Sequence, residues 1–77
     1  MEYSPVLHAR WETKTRYYTA HLQEDLLGDW IVITTNGGRK SRLGNLRTRY
    51  VETREEGLKF IDQLNRVRLK RGYVRVV

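Results

Sequence analysis

Seventy-seven residues make one domain, 1–77, with a single modest core, which excludes a multi-layer enzyme built around a deep cofactor cleft. Fifteen Lys and Arg against nine Asp and Glu give a formal charge of +6 and a pI near 10.1, the balance of a small domain that meets a polyanion. The absence of cysteine excludes a disulfide framework, a thiolate zinc site and a cysteine nucleophile, and a hydrophobic content of 39% excludes a disordered basic tail.

Pro5 suits a strand start, and the alternation of Leu7, Ala9 and Trp11 against Val6, His8 and Arg10 predicts a first strand. Met1 to Ala9 carries Glu2 and lacks both a basic start and a long apolar run, so it reads as no signal peptide. A polar turn, Glu12 to Thr15, leads to a second alternating stretch, Arg16 to Leu22. A hairpin centred between Thr13 and Lys14 sets Ala9 opposite Tyr18 and Leu7 opposite Ala20, with Trp11 and Leu22 on the same face. Gln23 to Asp29 reads as an acidic loop, and Trp30 to Thr35 as a strand that Asn36-Gly37-Gly38 breaks. Trp30 to Ile33 is the longest apolar run, far short of a membrane span, so a cytoplasmic protein is expected.

Arg39 to Asn45 is predicted to be a basic loop, followed by a strand from Leu46 to Val51. Leu46, Thr48 and Tyr50 fall on one face of that strand and Arg47, Arg49 and Val51 on the other. The spacing of Thr53 and Glu56 is a capping box, and Gly57, Phe60, Ile61, Leu64 and Val67 share one face of the helix it opens. Glu55 with Lys59 and Asp62 with Arg66 are i,i+4 pairs, and Gly72 is placed to stop the helix. Tyr73 to Val77 reads as a short final strand or a tail on the sheet edge. The expected class is α+β: an antiparallel β-sheet of four to five strands with one amphipathic C-terminal helix, 54–71, packed on it.

The charge is segregated along the chain. Residues 39–54 and 66–77 each carry +5, whereas 17–38 carry −3 and 55–65 carry −2. The first basic block offers Arg39, Lys40, Arg42, Arg47 and Arg49 as candidate phosphate contacts; the second offers Arg66, Arg68, Lys70 and Arg71 as a further patch. Whether they form one surface depends on the fold.

Catalytic patterns are lacking. Ser4 and Ser41 have no recognisable base or nucleophile elbow beside them, and Gly37-Gly38-Arg39-Lys40-Ser41 lacks the spacing and the following helix of a phosphate loop. His8 and His21 become diagonal neighbours in the expected register, His21 facing Val6, but two nitrogens make a poor metal site, so no metal and no cofactor are expected. Trp11, Tyr18, Trp30, Tyr50 and Phe60 occupy core-pattern positions; Tyr17 and Tyr73 do not.

The ordered set of hairpin, Trp-containing strand, Gly-Arg loop, aromatic-ended strand and capped helix closing on Gly-Tyr resembles the WGR domain of poly(ADP-ribose) polymerases and of bacterial molybdate-regulator-like proteins. The resembling span runs from Val6 to Tyr73. It rests on Arg16-Tyr17-Tyr18 to Leu22, on Gly38-Arg39-Lys40-Ser41-Arg42-Leu43-Gly44-Asn45, on Glu55-Glu56-Gly57 through Ile61, and on Arg68 and Gly72-Tyr73. The eponymous triplet departs: Gly37-Gly38-Arg39 stands where the family has Trp-Gly-Arg, and Ser41 stands at a usual glycine. The resemblance implies a module that contacts DNA or RNA, with Arg39 carried over from the triplet.

The combined expectation is a small bacterial or phage protein that is not an enzyme, a monomer that binds nucleic acid, DNA in preference to RNA, by backbone or end contacts. The alternative is a protein-interaction module that docks an acidic partner or associates with itself.

Overall fold

The computed structural model describes residues 7–77; the expectations for Ser4, for Pro5 as a strand start and for Val6 as a cross-strand neighbour lie outside them. The elements are β1 (Leu7–Glu12), β2 (Arg16–Glu24), β3 (Trp30–Gly38), β4 (Gly44–Val51), α1 (Arg54–Lys70) and β5 (Val74–Arg75). The strands form one antiparallel five-stranded sheet in the order β4-β3-β2-β1-β5, and α1 lies on one face of it. The fold is therefore α+β, with the sheet and the single C-terminal helix expected from the sequence.

The first hairpin keeps its faces but not its register. Ala9 pairs with Ala20 and Leu7 with Leu22, two positions along β2 from the expected partners. Thr13 sets this: its hydroxyl accepts from the backbone N–H of Thr15 at 3.3 Å and of Arg16 at 3.0 Å, and its N–H donates to the Arg16 carbonyl at 2.9 Å, which centres the turn one residue later, between Lys14 and Thr15. A two-residue slip leaves every side chain on its own face, so hydrophobic alternation alone cannot detect it.

β3 does not break at Asn36-Gly37-Gly38 but runs through it to Gly38, and β4 begins at Gly44, earlier than Leu46. The reason is Tyr17, whose hydroxyl crosses the paired Gly37 and Gly44. A Cβ at Gly44 would stand 2.8 Å from that oxygen, and one at Gly37 would stand 3.0 Å from the Leu43 carbonyl. The glycines serve close approach within a ladder rather than a turn.

Thr53 caps α1 by accepting from the Glu56 N–H at 3.1 Å, while the Glu56 carboxylate accepts from the Glu52 N–H at 2.8 Å. Asp62 and Arg66 close an ion pair at 2.9 Å; Glu55 and Lys59 do not. The helix ends at Lys70, one residue short of the expected limit, with Gly72 at φ +87° taking the left-handed conformation that the exit needs.

The core is Ala9, Trp11, Ala20, Leu22, Val32, Val51 and Ile61. Tyr50, expected within it, is instead 67% exposed on the far face, and Val51 takes the buried position on β4. Two contacts seat the helix. Gly57 rests on the fully buried Leu22, and the Trp11 indole N–H donates to the Asn65 side-chain carbonyl at 2.9 Å.

A Cβ at position 57 would drive into both Leu22 methyls. Gly57→Ala is therefore expected to lower stability in urea unfolding by up to about 2 kcal/mol, because overpacking of about 1–3 kcal/mol opposes the ~1 kcal/mol gained in helix propensity.

Candidate nucleic-acid interface

Strand directions decide where the charges go. β1 ends, β2 begins, β3 ends and β4 begins at one end of the sheet, and the antiparallel registers hold these points together. The β1–β2 turn with Lys14 and the β3–β4 loop with Arg39, Lys40 and Arg42 therefore lie side by side. Their backbones are joined: the Arg39 N–H donates to the Thr15 carbonyl at 2.7 Å. Lys14, Thr15, Gly38, Arg39, Lys40 and Ser41 line a shallow depression between them. Ser41, where the resembling family has glycine, shapes the loop, its hydroxyl accepting from the Leu43 N–H at 3.0 Å.

The helix runs toward this same end. Gly72, Val74 and Val76 share a second depression with Thr13, Lys14, Thr15 and Arg39, so Lys70 and Arg71, just before Gly72, arrive next to the loop block. The Arg39–Arg42 loop and the Lys70–Arg71 end of the helix thus meet. The opposite end gathers the acids: the Asp25–Asp29 loop between β2 and β3, Glu52, and Glu55 and Glu56 in the first turn of α1. Asp25 folds that loop by accepting from the Leu27 N–H at 2.9 Å and the Asp29 N–H at 2.8 Å. Nine residues of β2 separate the two ends by ~27 Å, more than three screening lengths of ~8 Å at physiological salt, so each end presents its own sign to a ligand.

The candidate cations differ in how free they are. Lys40, Arg42, Lys70 and Arg71 are exposed, with no ion pair among the described residues. Arg39 is partly engaged: its guanidinium donates to the Thr13 carbonyl at 3.2 Å and lies 3.6 Å from the Glu12 carboxylate. Arg47 and Arg49 do not extend the loop end. They line the helix side of β4, where the Arg49 guanidinium sits 4.5 Å from the centre of the Phe60 ring. Arg68 stacks over Tyr18 at 4.4 Å and Tyr73 at 5.2 Å, and Arg66 is held by Asp62.

Lys14 and Arg16 belong to this surface and were not legible as part of it. Each is a single charge beside a short turn, and only the pairing of β2 with β3 brings them to the Arg39 loop. Glu12, beneath that loop, has its carboxyl held below the usual range, first by its 2.8 Å hydrogen bond from Arg10 and further by the nearby Arg39 charge.

The histidines lie elsewhere, on the face away from α1. They pair directly rather than diagonally, Nδ1 to Nδ1 at 3.2 Å. No group of three or more potential metal ligands occurs among the described residues. No helix of the described residues is long and apolar enough to cross a membrane. Comparison with protein-family models, with curated proteins and with solved structures gives no match.

Burial, reinforced by the neighbouring His8, lowers the His21 pKa from its usual 6.5. The neutral ring is favoured in the folded state, so the unfolded chain takes up this proton first on acidification. Stability from this source is full above about pH 6.5, falls as pH drops below that value, and levels off once the folded ring is protonated. Urea unfolding at about pH 7.5 and about pH 5.5 should show this loss, and replacing both histidines by Gln should flatten it.

Proposed function

We propose that this protein is a cytoplasmic, non-catalytic domain that binds nucleic acid, DNA in preference to RNA, through its basic loop end. The observation that carries this reading is the convergence of the Arg39–Arg42 loop and the C-terminal end of α1, far apart in the chain, on one end while most of the acids collect at the other. Lys14, Lys40, Arg42 and Arg71 supply mobile charge for phosphate oxygens. Arg39 and Arg68, braced by a carbonyl or by aromatic rings, supply guanidinium groups whose ordering is already achieved in the free protein.

Contacts of this kind position a protein on a phosphate backbone without reading sequence. The resemblance to the WGR domain adds a preference for DNA ends. With Gly37 at the position of the family's Trp, and Tyr17 packed across it, no indole is available there for stacking, so charge carries most of the contact.

Binding to a short duplex should weaken with salt at a slope of log affinity on log concentration of about −4 to −5, for four to six phosphates neutralised. Replacing Lys14, Lys40 and Arg42 together by Ala should flatten that slope by about 2–3 and leave the melting temperature unchanged. Arg54→Ala, at the acidic end, should change neither. Linear duplex should compete better than closed circular duplex of the same sequence. Absence of affinity for any duplex or single strand at low salt rules the reading out.

A further inference from the structure

Among the described residues, no element is layered on the face of the sheet away from α1. That face presents Ile33 and Thr48 in its middle, Tyr50 toward the acidic end and Leu46 toward the basic end, with Ile31 beside Tyr50 already buried. Leu46 and Tyr50 are each 67% exposed. Its only charged side chains among the described residues are Arg10 and Glu12, paired with each other at 2.8 Å. A face that is apolar along β3 and β4, polar but locally neutral along β1 and β2, on a domain whose cations lie at the loop end and on the helix side, suits protein rather than phosphate.

We propose that this face binds a second copy of the same chain, head to tail. Charge complementarity selects both the occupant and the arrangement. Two identical faces can meet about a two-fold axis along the strands or across them. An axis along the strands sets basic end on basic end. An axis across them sets the Arg39–Leu43 loop of one copy, with Lys40 and Arg42, within about a strand's width of the Asp25–Asp29 loop of the other. Each copy thus contributes one attractive end contact to the other.

The same axis lays β4 on β4 with reversed direction, so that Leu46 of each copy meets Tyr50 of the other while Ile33 lies near the axis. Four strands ~4.8 Å apart and about seven residues long at ~3.4 Å each offer about 450 Å² per copy. The total of about 900 Å² falls in the size class of weak, transient contacts, so the association is expected to be weak and to need high protein concentration.

Sedimentation equilibrium of the full chain from about 10 µM to about 1 mM at low salt should show a monomer–dimer equilibrium. Leu46→Glu should weaken it at least tenfold with an unchanged melting temperature, whereas Leu69→Glu, on the exposed side of α1, should not. Raising the salt should weaken it further. The chain has no cysteine, so orientation can be read directly. A mixture of Leu46→Cys and Tyr50→Cys chains should cross-link on oxidation, and Leu46→Cys alone should not. A monomer throughout the concentration range, or an equilibrium indifferent to Leu46→Glu, overturns the proposal. Ready cross-linking of Leu46→Cys to itself overturns the head-to-tail arrangement.

Discussion

Trp11 is the side chain on which the arrangement of this molecule depends. It is fully buried between sheet and helix, and its indole N–H has one protein partner, Asn65, in the second half of α1. An indole donor left unsatisfied at that depth costs about 1–3 kcal/mol, so the helix is held at the position along the sheet where Asn65 can reach it. Gly57 against Leu22 fixes the other half of the helix, because only a residue without a side chain lets α1 approach that closely. Two contacts a little over two turns apart define a line, and that line carries the cations of the helix C-terminus to the end where the Arg39 loop already stands.

A single helix can cover one face of a five-stranded sheet. That limitation divides the surface into regions of different character: a basic loop end, an acidic end, a helix side edged by Arg47 and Arg49, and a neutral open face. The net charge of +6 hides this division, since the loop cations and the acids of the Asp25–Asp29 loop and the α1 N-terminus stand several screening lengths apart. A ligand meeting the loop end experiences a stronger positive potential than the net value suggests.

The arginines also show why composition gives a partner class more readily than it gives contacts. Arg39, Arg49 and Arg68 are each partly used in building the domain, on a carbonyl, on Phe60 and on two tyrosines. Their long apolar stems and planar heads pack as well as they bind. Lys14 and Arg16, which no pattern singled out, stand freely at the same end.

Much of the local structure was legible in the chain. Thr53 and Glu56 marked the helix start because a cap needs only the three-residue spacing that brings a hydroxyl to a backbone N–H, and alternation assigned the faces of β1 and β2 because the pleat has a period of two. The register of the first hairpin was not legible, since the hydrogen bonds of Thr13 move its turn one residue along the chain and leave the alternation unchanged. Asn36-Gly37-Gly38 read as a break because glycine serves turns and close approaches equally, and only the ring of Tyr17 crossing the ladder distinguishes them. Tyr50 read as core because burial on an edge strand is decided by which face the helix covers. The sequence by itself therefore determined the elements, their amphipathic faces and the existence of two basic blocks. Tertiary structure alone decided that the Arg39–Arg42 loop and the Lys70–Arg71 end of α1 share one end while Arg47, Arg49 and Arg54 do not, because distance across a sheet follows from strand order and helix placement rather than from separation along the chain.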